Sequence, residues 1–136
     1  MRQIKIGTCI PGTMVEAMLP HIIKAGFETI SINFHMSLEG VDLAELAKKT
    51  KEIIGDSGVE VTTLGFYCNP LQYEDHKKDL EYCIATAPQF GASIVSTFAG
   101  ALEGKKVEES IPVFGRVFSD LAKKAEANHI KIGIEN

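Results

Sequence analysis

Hydrophobic and polar residues follow two rhythms along this chain, short apolar runs and longer stretches with helical spacing. The apolar runs predict five strands, at residues 4–9, 27–34, 59–66, 93–98 and 130–135. Apolar positions three and four residues apart predict four helices between them, beginning near Thr13, Asp42, Glu74 and Val107. Strict alternation of strands and helices is typical of an α/β fold with a parallel sheet and helical crossovers.

Local signals refine the ends of these helices. Thr13 and Glu16 have the spacing of a capping box at the first helix, and Asp42 is placed to cap the second. Two prolines lie inside helical patterns, where a missing N–H and a bulky ring are disfavoured. We therefore expect a kink or break at Pro20 and an early end of the third helix at Pro88.

Two architectures fit this order of elements. A flavodoxin-like doubly wound sheet has five strands in about this length. A (β/α)8 TIM barrel needs about 250 residues, so a chain of 136 residues would hold its first four βα units and strand five. Periodicity alone favours neither, and in both cases residues 1–136 form a single domain, which is a partial one if the fold is a barrel.

The composition narrows the class of protein. With 45% hydrophobic and 24% charged residues, the chain is typical of a globular protein in water. A net charge of −4 argues against bulk binding to nucleic acid or to an anionic membrane. The three cysteines have no metal-ligand spacing and indicate reduced thiols. With no secretory signal and no apolar run long enough for a membrane span, we expect a cytoplasmic protein.

Ligand sites of both architectures lie at the carboxyl ends of the strands. The predicted strands end in polar and aromatic residues, as small polar ligands require: Thr8, Cys9, Asn33, His35, Gly65, Tyr67, Asn69, Thr97, Phe98, Gly100 and Glu135. His35 is suited to bind a hydroxyl group or to act as a base, and equally to be a satisfied histidine at the rim.

Glu135 has the most specific chemistry of this set. It ends a strand that we expect to be buried on both faces, where an ionised carboxylate costs several kcal/mol unless a cation or a donor compensates it. A divalent metal is one such partner, and carboxylate oxygens suit Mg²⁺ or Mn²⁺. A glutamate at the surface end of a strand is an equally good interpretation of its position.

Three segments resemble, in the same order, the sugar phosphate isomerase/epimerase family, which has the xylose isomerase-like barrel. They are LGFYCNPL at 64–71, STFAG at 96–100 and IGIEN at 132–136. The chain is similar to the N-terminal half of such a barrel. The resemblance implies a metal-dependent isomerase or epimerase of a sugar or sugar phosphate, which moves a proton through an enediolate.

The resemblance also implies roles for individual residues. Glu135 matches the strand-five glutamate that binds the metal and transfers protons, with Mn²⁺ or Mg²⁺ expected and Co²⁺ or Zn²⁺ as alternatives. We assign the substrate hydroxyls to His35, Tyr67, Asn69 and Gly100. The family's other ligands come from strands six to eight, so we expect the 136-residue chain to be inactive alone. We expect it to be part of a longer protein, with a small sugar as its ligand and a homo-oligomeric state.

Other functions stay open at this point. A dehydratase of inositol catabolism shares the scaffold, and a small flavodoxin-like binding domain would be complete as given. Apurinic endonucleases of the same superfamily typically end strands three and four in metal-binding histidines. The matching segments here, 65–67 and 97–100, contain no histidine. Together with the negative charge, this argues against DNA repair.

Overall fold

Five strands alternate with four α-helices in the computed structural model, which describes residues 4–135. The strands are β1 (Gly7–Pro11), β2 (Thr29–His35), β3 (Glu60–Tyr67), β4 (Ile94–Phe98) and β5 (Lys131–Glu135). The helices are α1 (Val15–Lys24), α2 (Leu43–Ile54), α3 (Glu74–Phe90) and α4 (Val107–Ala127). The α/β alternation predicted from the apolar pattern is therefore confirmed.

The strands form one parallel sheet in the order β1-β2-β3-β4-β5. Each helix packs against the next one along the chain, so the helices make a single layer. In a flavodoxin-like sheet the first strand lies between the second and third and helices cover both faces, so that alternative is wrong. Sequential order with one helical layer is the arrangement of a βα barrel.

The hydrophobic core lies between the sheet and the helices. Ile30, Ile32 and Phe34 of β2 are at most 3% exposed and face the helical layer. The same core contains helix side chains that are fully buried: Leu19, Leu43, Leu80, Ile84 and Leu121. Because side chains alternate along a strand, Ser31, Asn33 and His35 lie on the opposite face of the sheet. Within residues 4–135, no helix covers that face.

Phe34 occupies the space beside a glycine that precedes α1. Gly12 is buried in a 3-10 turn over Gly12–Met14. A Cβ atom at this position would overlap the ring of Phe34. The turn therefore requires glycine because the aromatic ring already fills the volume that a side chain would need.

Capping differs between the first two helices. The carboxylate of Asp42 accepts hydrogen bonds from the N–H groups of Ala44 and Glu45 at 2.9 and 3.0 Å, which confirms the predicted cap of α2. The capping box predicted at Thr13 is wrong. Thr13 lies inside the 3-10 turn, and α1 begins at Val15 with no side-chain cap.

Neither proline ends its helix. α1 continues through Pro20 to Lys24, and α3 continues through Pro88 to Phe90, so the predicted break and early end are wrong. Phe90 is 3% exposed, and its burial holds the last turn of α3 against the core. Gly91 then ends the helix in the left-handed conformation, with a φ of 83°.

The first strand begins three residues later than predicted and ends at Pro11. Pairing with β2 starts at Gly7, opposite Thr29, and the two apolar residues that favoured an earlier start stay in solvent. Ile4 is 87% exposed and Ile6 is 66% exposed. The carbonyl of Ile6 still accepts hydrogen bonds from the N–H groups of Glu28 and Thr29, at 2.8 and 3.4 Å, so it is the side chain of Ile6 that has no partner among the residues described.

α4 spans the predicted residues, but its apolar stripe is covered only in part. Phe118, Leu121 and Ala125 are buried, whereas Val107 is 73% exposed and Ile111 is 62% exposed. The helical spacing is therefore correct, while the buried apolar residues all lie in the C-terminal half of the helix. In the part of the chain from 4 to 135, no helix has both the length and the apolar character needed to cross a bilayer.

Candidate active site

The carboxyl ends of four neighbouring strands bring four side chains into what we call the carboxyl-edge row: His35, Tyr67, Phe98 and Glu135. The register pairs His35 with Tyr67 and Phe98 with Glu135. The rings of His35 and Tyr67 stack with centroids 5.0 Å apart, and those of Tyr67 and Phe98 are 5.1 Å apart. Three residues that the sequence predicts as site residues, His35, Tyr67 and Glu135, therefore lie side by side at this edge.

Tyr67 and Glu135 are joined directly. The Tyr67 hydroxyl donates a hydrogen bond of 2.8 Å to Oε1 of Glu135, which connects β3 with β5 across the intervening β4. Burial raises the pKa of Tyr67 to about 12, and the bond to the Glu135 carboxylate adds to the shift. The phenol is therefore a hydrogen-bond donor to the carboxylate throughout the neutral pH range.

A second layer of small and polar residues lies directly beneath the row. The register aligns Asn33, Gly65, Ser96 and Gly133 across four strands. A Cβ atom at Gly65 would come within 2.5 Å of Asn33 Oδ1 and 2.8 Å of Tyr67 Cε2. Glycine at this position leaves the space in which both side chains lie, so it shapes the site without contributing a side chain of its own.

Asn69 and Gly100, predicted as substrate contacts, lie in the loops that follow β3 and β4. Nδ2 of Asn69 donates to the carbonyl of Ala101 at 2.7 Å, and Oδ1 accepts from the Ala101 N–H at 3.1 Å. Gly100 has a φ of 75°, and a Cβ atom there would lie 2.5 Å from Asn69 Oδ1. The structure thus joins these two positions to each other, and their contact with a substrate stays a prediction.

His76 has a role that the sequence did not indicate. It is half-buried, and its Nδ1 accepts a hydrogen bond of 3.1 Å from the N–H of Asn69. Its ring packs edge-on against Tyr73 at 4.9 Å. No spacing pattern marks this histidine, because its partner is the backbone of a loop.

The expected burial of Glu135 is wrong for the residues described. β5 lies at the edge of the sheet, Glu135 is exposed and the preceding Ile134 is 45% exposed. The desolvation argument for a metal therefore does not hold in this part of the chain. What holds the carboxylate in place is its hydrogen bond from Tyr67.

A metal site also needs more ligands than this edge provides. Between residues 4 and 135, no three His, Cys, Asp or Glu side chains come together as metal ligands. Mg²⁺ and Ca²⁺ take six or more oxygen ligands, several of which are water or substrate in the case of Mg²⁺. Glu135 alone does not make such a site, and no chemical step is assigned to a metal on these residues.

Alkaline pH is expected to destabilise the fold. Burial raises the pKa of Cys68 from 9.0 to about 11, and it also raises the pKa of the Cys83 thiol. Tyr67 shifts in the same direction. The unfolded chain therefore loses these protons first. The contribution of these groups to the free energy of unfolding is complete below about pH 9. It falls as the pH rises towards the pKa values of the folded state, by about 1.4 kcal/mol per pH unit for each such group.

Urea midpoints measured by circular dichroism from about pH 8 to about pH 10.5 test this expectation. The Tyr67→Phe variant is the matched control, since it removes the phenol and keeps the ring. Its midpoint should fall less steeply over the upper part of this range. A midpoint that is independent of pH would contradict the shifts.

The sequential parallel sheet, the single helical layer and the carboxyl-edge row are those of consecutive units of a βα barrel, which is the class of protein that the fold defines. A family model for xylose isomerase-like TIM barrels matches residues 20–136, and the chain belongs to this family. The expected fold class is therefore confirmed.

Solved structures of similar fold span several activities. A xylose isomerase domain protein from Planctomyces limnophilus is 15% identical with a TM-score of 0.73, over 97% of this chain and 54% of that one. L-ribulose 3-epimerase is 16% identical with a TM-score of 0.70, over 97% and 49%. An AP endonuclease of family 2 from Brucella melitensis is 13% identical with a TM-score of 0.68, over 96% and 55%. Such identities show the fold alone, and the chain spans about half the length of these structures.

Three further structures widen the range of chemistry on this fold. The IOLI protein with a bound zinc atom is 19% identical, with a TM-score of 0.67 over 96% of this chain and 51% of that one. A Mycobacterium smegmatis barrel protein in complex with magnesium is 14% identical, with a TM-score of 0.65 over 96% and 54%. The probable 3-DHS dehydratase AsbF from Bacillus anthracis is 14% identical, with a TM-score of 0.69 over 95% and 51%. Enzymes on this fold thus include epimerases and a dehydratase.

A curated relative matches a shorter stretch. A UPF0282 protein from Saccharolobus islandicus is 39% identical over 64 residues, which are 46% of this chain and 20% of that protein. The chain therefore spans about a fifth of the curated relative that it matches. Its name states no activity, so this likeness adds nothing to the assignment of function.

Proposed function

We propose that the protein is a metal-dependent isomerase or epimerase of a sugar or sugar phosphate that transfers a proton through an enediolate. The observation that carries the proposal is the hydrogen bond of 2.8 Å from Tyr67 to Glu135 within the carboxyl-edge row. It places an oriented carboxylate at the edge of the sheet where barrel enzymes bind their substrates. The resemblance of the three sequence segments to sugar phosphate isomerases supports the same activity.

Each residue of the carboxyl-edge row has a role in the proposed reaction. Glu135 removes a proton beside the substrate carbonyl and, in an isomerase, returns it to the neighbouring carbon on the same face. In an epimerase, a second acid on the opposite face would deliver the proton there, and Glu135 would keep the one that it removed. Tyr67 orients the carboxylate, and His35 and Tyr67 bind substrate hydroxyls. Phe98, which is 38% exposed, offers an apolar surface to the carbon side of the sugar ring.

A divalent ion is part of the proposal for the whole protein. Glu135 would supply one oxygen ligand, and the ion would polarise the substrate carbonyl. We favour Mn²⁺ or Mg²⁺ because a carboxylate suits hard cations, with Co²⁺ or Zn²⁺ as alternatives. The zinc and magnesium bound by two proteins of the same fold support a divalent ion without indicating which one this protein uses.

The test uses the protein expressed from its full coding sequence. It is incubated with a panel of ketoses, aldoses and their phosphates in Mn²⁺ or Mg²⁺, and in parallel with a chelator. A product of unchanged mass that forms only with the ion supports the proposal. Loss of water would instead identify a dehydratase, and equal turnover in the chelator would exclude metal dependence.

A further inference from the structure

The hydrogen-bonded ladder between β3 and β4 ends before the strands do. It pairs Gly65 with Ser96 and goes no further, although β3 continues to Tyr67 beside β2 and β4 continues to Phe98 beside β5. The last residues of the two strands thus have no backbone pairing, and we call this interval the gap; side chains still contact across it, with Cys68 Sγ 3.7 Å from Thr97 Oγ1. Tyr67 reaches across this gap and across β4 to contact Glu135.

Beyond the gap, the carboxamide of Asn69 joins the loop that follows β3 to the loop that follows β4. It donates to the Ala101 carbonyl at 2.7 Å and accepts from the Ala101 N–H at 3.1 Å, as a neighbouring strand would. A backbone N–H can only donate and a carbonyl can only accept, so the orientation of the carboxamide is determined. The link lies two residues after Tyr67 and three after Phe98.

The two loops that this link joins are each hydrogen-bonded to a helix. The N–H of Asn69 donates to Nδ1 of His76 at 3.1 Å, which attaches the β3 side to α3. On the β4 side, the N–H of Leu102 donates to Oγ of Ser110 in α4 at 2.9 Å. The link therefore connects two anchored loops and limits how far the ends of β3 and β4 can move apart.

We propose that Asn69 is a positioning residue that sets the width of this gap. By setting the width, it holds the Tyr67 ring against Phe98 and keeps the Tyr67 hydroxyl within reach of Glu135. Its importance for catalysis rests on the proposed function, whereas the link itself is a property of the chain without ligand. Asn69, which the sequence suggested as a substrate contact, acts here through Tyr67.

The chain offers two informative variants and a matched control. Asn69→Ala removes both hydrogen bonds, and Asn69→Asp keeps the acceptor for the Ala101 N–H but cannot donate to the Ala101 carbonyl. Gln72→Ala is the control, since Oε1 of Gln72 accepts from the N–H of Glu103 at 3.1 Å and so links the same two loops farther from the strands.

Nuclear magnetic resonance of this chain measures the consequence. In Asn69→Ala, the amide of Ala101 should exchange about 10-fold faster, and the Overhauser contacts from the Tyr67 ring to Phe98 and Glu135 should weaken or vanish. Asn69→Asp should lose the same contacts while keeping part of the Ala101 protection, so the test survives even if the alanine variant does not fold. Gln72→Ala should keep the contacts of Tyr67.

Two results would overturn the proposal. One is unchanged contacts between Tyr67 and Glu135 in a folded Asn69 variant whose Ala101 amide exchanges faster. The other is an equal loss of those contacts in Gln72→Ala. Because this experiment needs neither substrate nor metal, its failure is distinguishable from failure of the proposed activity. In an active enzyme, Asn69→Asp should lower kcat more than it raises KM, because a misplaced carboxylate impairs the transition state more than binding.

Discussion

Replacing Glu135 by glutamine is expected to lower turnover by about 10²–10⁴-fold, the usual contribution of a positioned acid or base. Glutamine has nearly the same shape, and its side-chain oxygen can still accept the hydrogen bond that Tyr67 donates at 2.8 Å. It carries no charge, so it neither takes up the proton nor contributes a negative ligand to a cation. Because Glu135 is exposed, the fold should keep its stability.

The experiment compares kcat and ion uptake in the full-length protein before and after the substitution. Glu60→Gln is the matched control. Glu60 begins β3, so it lies at the end of the sheet opposite to Glu135; it is exposed and pairs with Lys5 at 2.6 Å. Its replacement should change turnover little, since exposed ion pairs contribute at most about 1 kcal/mol to stability. Full turnover and full ion uptake in Glu135→Gln would exclude the proposed role.

Gly12→Ala is expected to destabilise the fold by about 3 kcal/mol, at the upper end of the cost of overpacking a core. The new methyl group would overlap the ring of Phe34, which is 3% exposed and packed in the core. Either the ring leaves its rotamer or the turn before α1 shifts. Urea unfolding followed by circular dichroism measures the loss.

A second substitution tests whether overlap with the Phe34 ring is the cause of the lost stability. Phe34→Leu shortens the side chain, so Gly12→Ala should cost less in that background, and the two changes should be non-additive. Gly115→Ala is the matched control for the glycine replacement. Gly115 lies in α4 with no atom within 4 Å of a new Cβ, so alanine should stabilise by about 0.5–1 kcal/mol. Additive costs for Gly12 and Phe34 would show that the ring is not the obstacle.

The elements that were predictable from sequence are those with strong periodicity. α2 and α4 begin where they were predicted to, because their apolar stripes repeat over several turns and Asp42 supplies a local start signal for α2. The sequential strand order was not predictable, since apolar runs reveal strands but not their neighbours. The family resemblance favoured the barrel, which the order of the sheet then supported.

The errors have a common physical cause, which is that tertiary contacts outweigh local signals. The apolar residues at 4–6 suggested a strand, but β1 starts where β2 offers partners. Pro88 should stop a helix, yet α3 continues to Phe90, because the burial of Phe90 in the core stabilises the last turn. Thr13 had the right spacing for a cap, but it lies inside the 3-10 turn Gly12–Met14, where the Phe34 ring packs against Gly12.

The site was predictable in its position more than in its contacts. His35, Tyr67 and Glu135 follow from where the strands end, because parallel strands bring their carboxyl ends to one edge. The bond between Asn69 and Ala101 joins residues 32 positions apart, and nothing local to either residue indicates it. The expected burial of Glu135 was wrong because it assumed a neighbour on both sides of β5.

The sequential order of the sheet also has a consequence for biosynthesis. Each strand pairs with the one made just before it, so every β-strand pairing closes a segment of one helix and two loops. Short closures cost little chain entropy and form early. A nascent polypeptide of this design can therefore add these five strands to its sheet one after another while it leaves the ribosome.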